Sequence, residues 1–165
     1  YWVDFIVRDL KFSIEQGAFQ WMLVGVGGIV GTILWGRLAD FIGLNISLVL
    51  VFAALASSAI TPFYFDDFSM IILSSFIFGS QPGSAAIVAA RAQKAVGESS
   101  MVSLWHYMVL SVGIAQIVGG ILLVELFNRT NSYTSVFLIG GTSMGLAALI
   151  CATLSKQTPK LEPRN

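Results

Sequence analysis

The amino-acid sequence predicts an all-α, polytopic transmembrane helix bundle, and three observations carry that prediction. Hydrophobic residues make up 56% of the 165-residue chain and charged residues only 11%, against roughly 25% charge in an ordinary soluble domain. The apolar residues fall in five blocks, each about the 20 residues that an α-helix needs to cross roughly 30 Å of hydrocarbon. The charges lie between those blocks. Strands are excluded, because an open sheet edge cannot be satisfied in lipid and no strand-like alternation of about ten residues occurs.

Taken in order, residues 1–16 carry Asp4, Arg8 and Asp9 close together. They are expected to form the end of a truncated transmembrane helix followed by an external loop, and a first residue that is Tyr rather than Met fits a fragment. The first full span is predicted over 17–38, closed by Arg37 and Asp40, and the second over 46–65, closed by Pro62 and the pair Asp66 and Asp67. The third covers 68–90 and stays uncharged up to Arg91. The fourth, 102–126, holds His106 near its start and Glu125 near its end, and the fifth, 133–154, holds no charge. Residues 156–165 form a basic tail. The connectors are too short to hold a soluble domain.

Basic residues set the orientation. With a cytoplasmic C-terminus, the inner segments hold Arg37, Arg91, Lys94, Lys156, Lys160 and Arg164, and the outer ones only Arg8, Lys11 and Arg129. That imbalance predicts a multi-pass protein of a cell or inner membrane, with its tail inside and Asp66 and Asp67 outside. A formal net charge of zero speaks against a nucleic-acid partner. The single Cys151 excludes an internal disulfide and a cysteine zinc cluster, and no cofactor or metal is expected.

Polar and small residues inside the spans are the candidates for function. Gln81 lies mid-span in Gly79-Ser80-Gln81-Pro82-Gly83, where Pro82 removes a backbone donor. On the next span His106, Val109, Gly113, Gln116 and Gly120 recur at steps of three and four, within an arc of about 80°. This small, polar stripe is expected to face the bundle interior. Gln116 then lines a substrate cavity or bonds a neighbouring helix. His106, nearer the inner end, serves a solvated, packing or proton-coupling role. Glu125 is expected to be wetted at the interface, and Trp21, Trp35 and Trp105 to form an aromatic belt. Gly27 and Gly31, like Gly141 and Gly145, are small residues four apart that let helices pack closely. The run Gly25, Gly27, Gly28 and Gly31 does not read as a dinucleotide loop, because no strand precedes it.

The segment Gly36-Arg37-Leu38-Ala39-Asp40-Phe41-Ile42-Gly43 resembles the signature loop of the major facilitator superfamily, with Leu44 and Asn45 in place of the basic residues that follow it there. Leu34-Trp35-Gly36-Arg37-Leu38-Ala39-Asp40, Ala89-Ala90-Arg91-Ala92, Gly113-Ile114-Ala115-Gln116 and Asn131-Ser132-Tyr133 are similar to the YbfB/YjiJ-type group of that superfamily. The resemblance implies the second half of the fold, with the five spans as helices eight to twelve. It also implies transport of a small solute by alternating access, with Gln81, Gln116 and His106 as substrate-cavity candidates. The implied partners are the solute, a coupling ion, the lipid bilayer and the N-terminal half of the same transporter. Gly36, Arg37, Asp40 and Gly43 belong to the signature loop. Asp40 is expected to latch onto the free amides of the helix that starts near Glu98 to Val102, with Arg37 orienting it. A solvated charge that only fixes topology is the other reading of Asp40.

Two further classes remain. A membrane enzyme lacks support, since neither H-E-x-x-H nor G-x-S-x-G nor a pair of intramembrane aspartates occurs. A non-transporting membrane assembly or sensor subunit would use the same bundle.

Overall fold

The computed structural model describes residues 1–65 and 67–157; Asp66 and residues 158–165, with the basic Lys160 and Arg164, lie outside the described residues. The chain runs as α1 (Trp2–Arg8), α2 (Ile14–Ile42), α3 (Leu44–Tyr64), α4 (Phe68–Gly79), α5 (Pro82–Val96), α6 (Glu98–Thr130) and α7 (Tyr133–Gln157). Among the described residues, five helical spans are long and apolar enough to cross a membrane, with α4 and α5 counting as one, Phe68–Val96. The fold is an all-α transmembrane bundle.

Local chemistry sets each boundary. Ser13 and Gln16 form a reciprocal capping box: Ser13 Oγ accepts from the Gln16 amide at 3.2 Å, and Gln16 Oε1 accepts from the Ser13 amide at 2.9 Å. Two of the free amides of the first turn are thereby satisfied, and α2 starts three residues before the apolar block does. Its other end runs past Leu38 to Ile42, because nothing in Arg37 to Phe41 breaks a helix. It stops at Gly43, whose φ of +90° an L side chain rarely adopts. One residue therefore separates α2 from α3. Gly97, at φ +79°, separates α5 from α6 in the same way. Asp67 caps α4, its Oδ2 accepting from the amides of Ser69 and Met70, and Asn131 closes α6 in the left-handed conformation.

Both prolines inside the spans are compensated. Pro62 lacks the N–H that would bond the Ser58 carbonyl one turn earlier. Ser74 Oγ, from α4, donates to that carbonyl at 2.6 Å instead. At Pro82 the span tightens. The amide of Ser80 bonds the Ile77 carbonyl, that of Gln81 bonds Phe78, that of Gly83 bonds Ser80 and that of Ser84 bonds Gln81. These three-residue steps pair four amides across the break.

α2 and α4–α5 run parallel in close contact. A β-carbon at Gly27 would strike the Phe76 carbonyl, one at Gly31 would strike Ser80, and one at Gly79 would strike the Val24 carbonyl. Gly141 of α7 packs on Ala56, Ala59 and Ile60 of α3, whereas Gly145 faces open space. Two apolar clusters fill the bundle. The first gathers Trp2, Phe5, Ile6, Ile71, Tyr133 and Phe137, and the second Ala39, Leu48, Val51, Leu55 and Ile87. α1 is embedded in the first cluster. Trp2 stacks on Phe78 at 5.4 Å, meets Phe137 edge-on, and donates its indole N–H to Ser75 Oγ at 2.9 Å. α6 stands at the margin. It packs on α5 and α7, and none of its residues is buried.

Candidate functional site: the Ser80–Pro82 break and the open face of α6

At the break in the third span, Ser80 Oγ accepts from the Trp35 indole N–H at 2.9 Å and donates to the Ile77 carbonyl at 2.6 Å. One hydroxyl thus caps α4 and ties the break to α2. Trp35, assigned above to an aromatic belt, serves as this internal tether. Gln81 follows immediately and is exposed. It lines a cleft of about 210 Å³ together with Leu55 and Ala59 of α3, Phe78 of α4, and Phe137, Gly140 and Met144 of α7. The cleft is bordered by Phe137 of the first apolar cluster and Leu55 of the second, and Gln81 is the polar group on its otherwise apolar wall. Gln81 thus presents its carboxamide at the cleft from the turn that precedes Pro82.

His106 lies elsewhere. With Ser103, Tyr107 and Leu110 it lines a depression of about 300 Å³ on α6. Gln116, farther along α6, is exposed and borders neither hollow. The structure thus distributes the three candidates over two places, Gln81 against α3 and α7 and the other two on α6. The residues of α6 that are partly covered include Met101, Leu104, Met108 and Leu126. His106, Val109, Gln116 and Gly120 are exposed, with Gly113 half-buried between them. Among the described residues, the stripe is turned out of the bundle.

The signature residues Gly36, Arg37 and Asp40 are helical, in the last two turns of α2, and Gly43 is its C-cap. The expected loop is the end of a helix. Arg37 and Asp40 are both exposed, and no hydrogen bond or ion pair engages either among the described residues. The first turn of α6, which begins at Glu98, has no side-chain cap. Asn45, at a position basic in the signature loop, accepts a hydrogen bond from the Arg91 guanidinium of α5. Glu125 pairs with Arg129 at 2.7 Å, one turn on, with both side chains exposed.

Sequence reasoning missed Gln20. It is completely buried in α2, on the stripe that holds Gly27 and Gly31, and neither its amide nitrogen nor its oxygen has a partner among the described residues. A lone glutamine in an apolar block was the available signal. Ser47 Oγ is buried and has no partner among the described residues either.

A family model described as an uncharacterised MFS-type transporter, YbfB, matches residues 1–152. No curated protein and no solved structure matches the chain.

Proposed function

The chain belongs to the YbfB-like family of MFS-type transporters, and from that premise we propose that it moves a small solute across the membrane by alternating access. The observation that carries the mechanism is the polar stripe of α6. At membrane depth, His106 and Gln116 stand exposed on a helix that buries none of its residues. Lipid is a costly neighbour for such groups. The N-terminal half of the same transporter, meeting this face across an aqueous cavity, satisfies them. Gln116 then lines the cavity near the midpoint of α6. Gln81 serves the same path from the cleft at the Pro82 break, and a coupling ion shares it. The tail lies in the cytoplasm of a cell or inner membrane, as the excess of basic residues on that side supports.

The ends of α2 and α6 supply the switch. Asp40 has no ion-pair partner among the described residues, and α6 starts with no side-chain cap. A carboxylate at such a terminus contributes typically about 0.3–1 kcal/mol, and up to about 2 when partly buried. Their approach stabilises the outward-open state, with Arg37 orienting the carboxylate. The test of transport is solute counterflow in liposomes containing the full-length protein. Gln116→Leu is expected to reduce counterflow while its abundance in the membrane stays near that of the parent. Parental rates in that variant would remove Gln116 from the path.

A further inference from the structure

The depression on α6 points to a class of solute. Ser103, His106, Tyr107 and Leu110 occupy positions i, i+3, i+4 and i+7, one face of the helix. All four are exposed. Farther along this helix two hydroxyls are consumed locally: Ser111 Oγ donates to the Tyr107 carbonyl at 2.7 Å, and Thr130 Oγ1 to the Leu126 carbonyl at 2.8 Å. Ser103 Oγ, the His106 ring and the Tyr107 hydroxyl make no hydrogen bond among the described residues. His106 stands eight residues from the middle of α6, about 12 Å along the axis, and Ser103 about 16 Å. Centred in the bilayer, that places the imidazole inside the hydrocarbon and the serine at its edge.

The three groups are all hydrogen-bond donors, and no carboxylate shares their hollow. Glu98 lies at the start of the helix, two turns before His106, and Glu125 is engaged by Arg129 near the other end. A cationic solute would find no counter-charge on this face. A carboxylate offers two oxygens that accept from the imidazole, the phenol and the serine hydroxyl together. Such charge-assisted bonds are about twice as strong as neutral ones. Leu110 supplies an apolar wall for the rest of the solute.

We propose that Ser103, His106 and Tyr107 bind the carboxylate group of a small organic anion, with Leu110 against its hydrocarbon part. This assignment rests on the transporter reading and narrows it to one substrate class. It is tested on the detergent-purified full-length protein by thermal unfolding with benzoate, lactate, choline or mannitol, and by uptake of the same four compounds into liposomes. Benzoate or lactate is expected to raise the melting temperature, and choline and mannitol to leave it unchanged. The half-saturating concentration is expected to rise at least tenfold in His106→Ala and in Tyr107→Phe. Tyr107→Phe removes a single oxygen and guards against loss of fold in the first variant. Stabilisation by choline or mannitol alone, equal binding of the carboxylates by parent and both variants, or no binding of either carboxylate would each overturn the site. Uptake without preference for carboxylates would sink the anion assignment and leave transport standing. Carboxylate binding that depends on His106 and Tyr107, with no uptake of any compound, would uphold the site and count against transport.

Discussion

Gln20 and Ser74 are opposite cases of a polar residue inside a membrane helix. Gln20 has both ends of its carboxamide buried without a partner among the described residues, and leaving such a group unsatisfied costs about 1–3 kcal/mol. Gln20→Leu keeps nearly the same volume and removes that cost. It is expected to raise stability by about that amount, measured by unfolding of the purified protein in detergent. An unchanged or lower stability would mean that the amide is satisfied in the membrane-embedded protein. Ser74 instead meets a need on another helix, since its hydroxyl donates to the Ser58 carbonyl that Pro62 leaves free. Ser74→Ala is expected to lose about 1–3 kcal/mol. Combining it with Pro62→Ala restores a backbone donor to Ser58, so the double variant should regain much of that loss. The polarity of both residues is visible in the sequence. Which one has a partner is not, because the partner lies on another helix.

At the scale of elements, the closest approach of α2 to the α4–α5 span is made at glycines. Lipid tails are as apolar as leucine, so helices gain by letting their backbones approach. Gly27, Gly31 and Gly79 stand where any β-carbon would meet the neighbouring helix. Gly27→Ala is expected to cost about 1–3 kcal/mol through overpacking. Gly145→Ala, at a position facing open space, should be close to neutral. Comparable losses in the two variants would show that this contact is not the tight one. The same pair shows how far spacing reaches. Gly27/Gly31 and Gly141/Gly145 have identical intervals, yet only the first pair is filled at both positions. Interval reports a face of a helix, and the neighbour decides whether that face is used.

For the whole molecule, orientation and switching can be separated experimentally. With Cys151→Ser as background, a cysteine at Asp67 is expected to react with an impermeant maleimide in intact cells, and one at Ser99 only after permeabilisation. The reverse pattern would invert the orientation. The switch is read from Asp40→Asn, which keeps the size and removes the charge. A loss of about 1.4 kcal/mol corresponds to tenfold in an equilibrium. The inward-open population is therefore expected to grow by up to about tenfold, followed by a distance probe across the two halves. An unchanged population in well-expressed protein would leave Asp40 as a topology-fixing charge.

Composition and block length by themselves determined the membrane class and the number of spans, since hydrocarbon thickness dictates how many apolar residues a helix must supply. The run from Gly36 to Gly43 pointed to the family, and the Pro82 break was legible from a proline in mid-span. Helix ends were less so. α2 begins at a serine–glutamine box and runs on through its signature residues to Gly43, because hydrogen bonding and φ end a helix, while hydropathy only marks where lipid does. Tertiary structure alone decided that Gln81 opens towards α3 and α7 while His106 and Gln116 stand on a different surface. It also decided that Gln20 is sealed among helices and that Trp35 holds the break. Depth in the membrane is a property of one helix and is written along it, but what a side chain meets depends on which helices lie beside it and how each is turned.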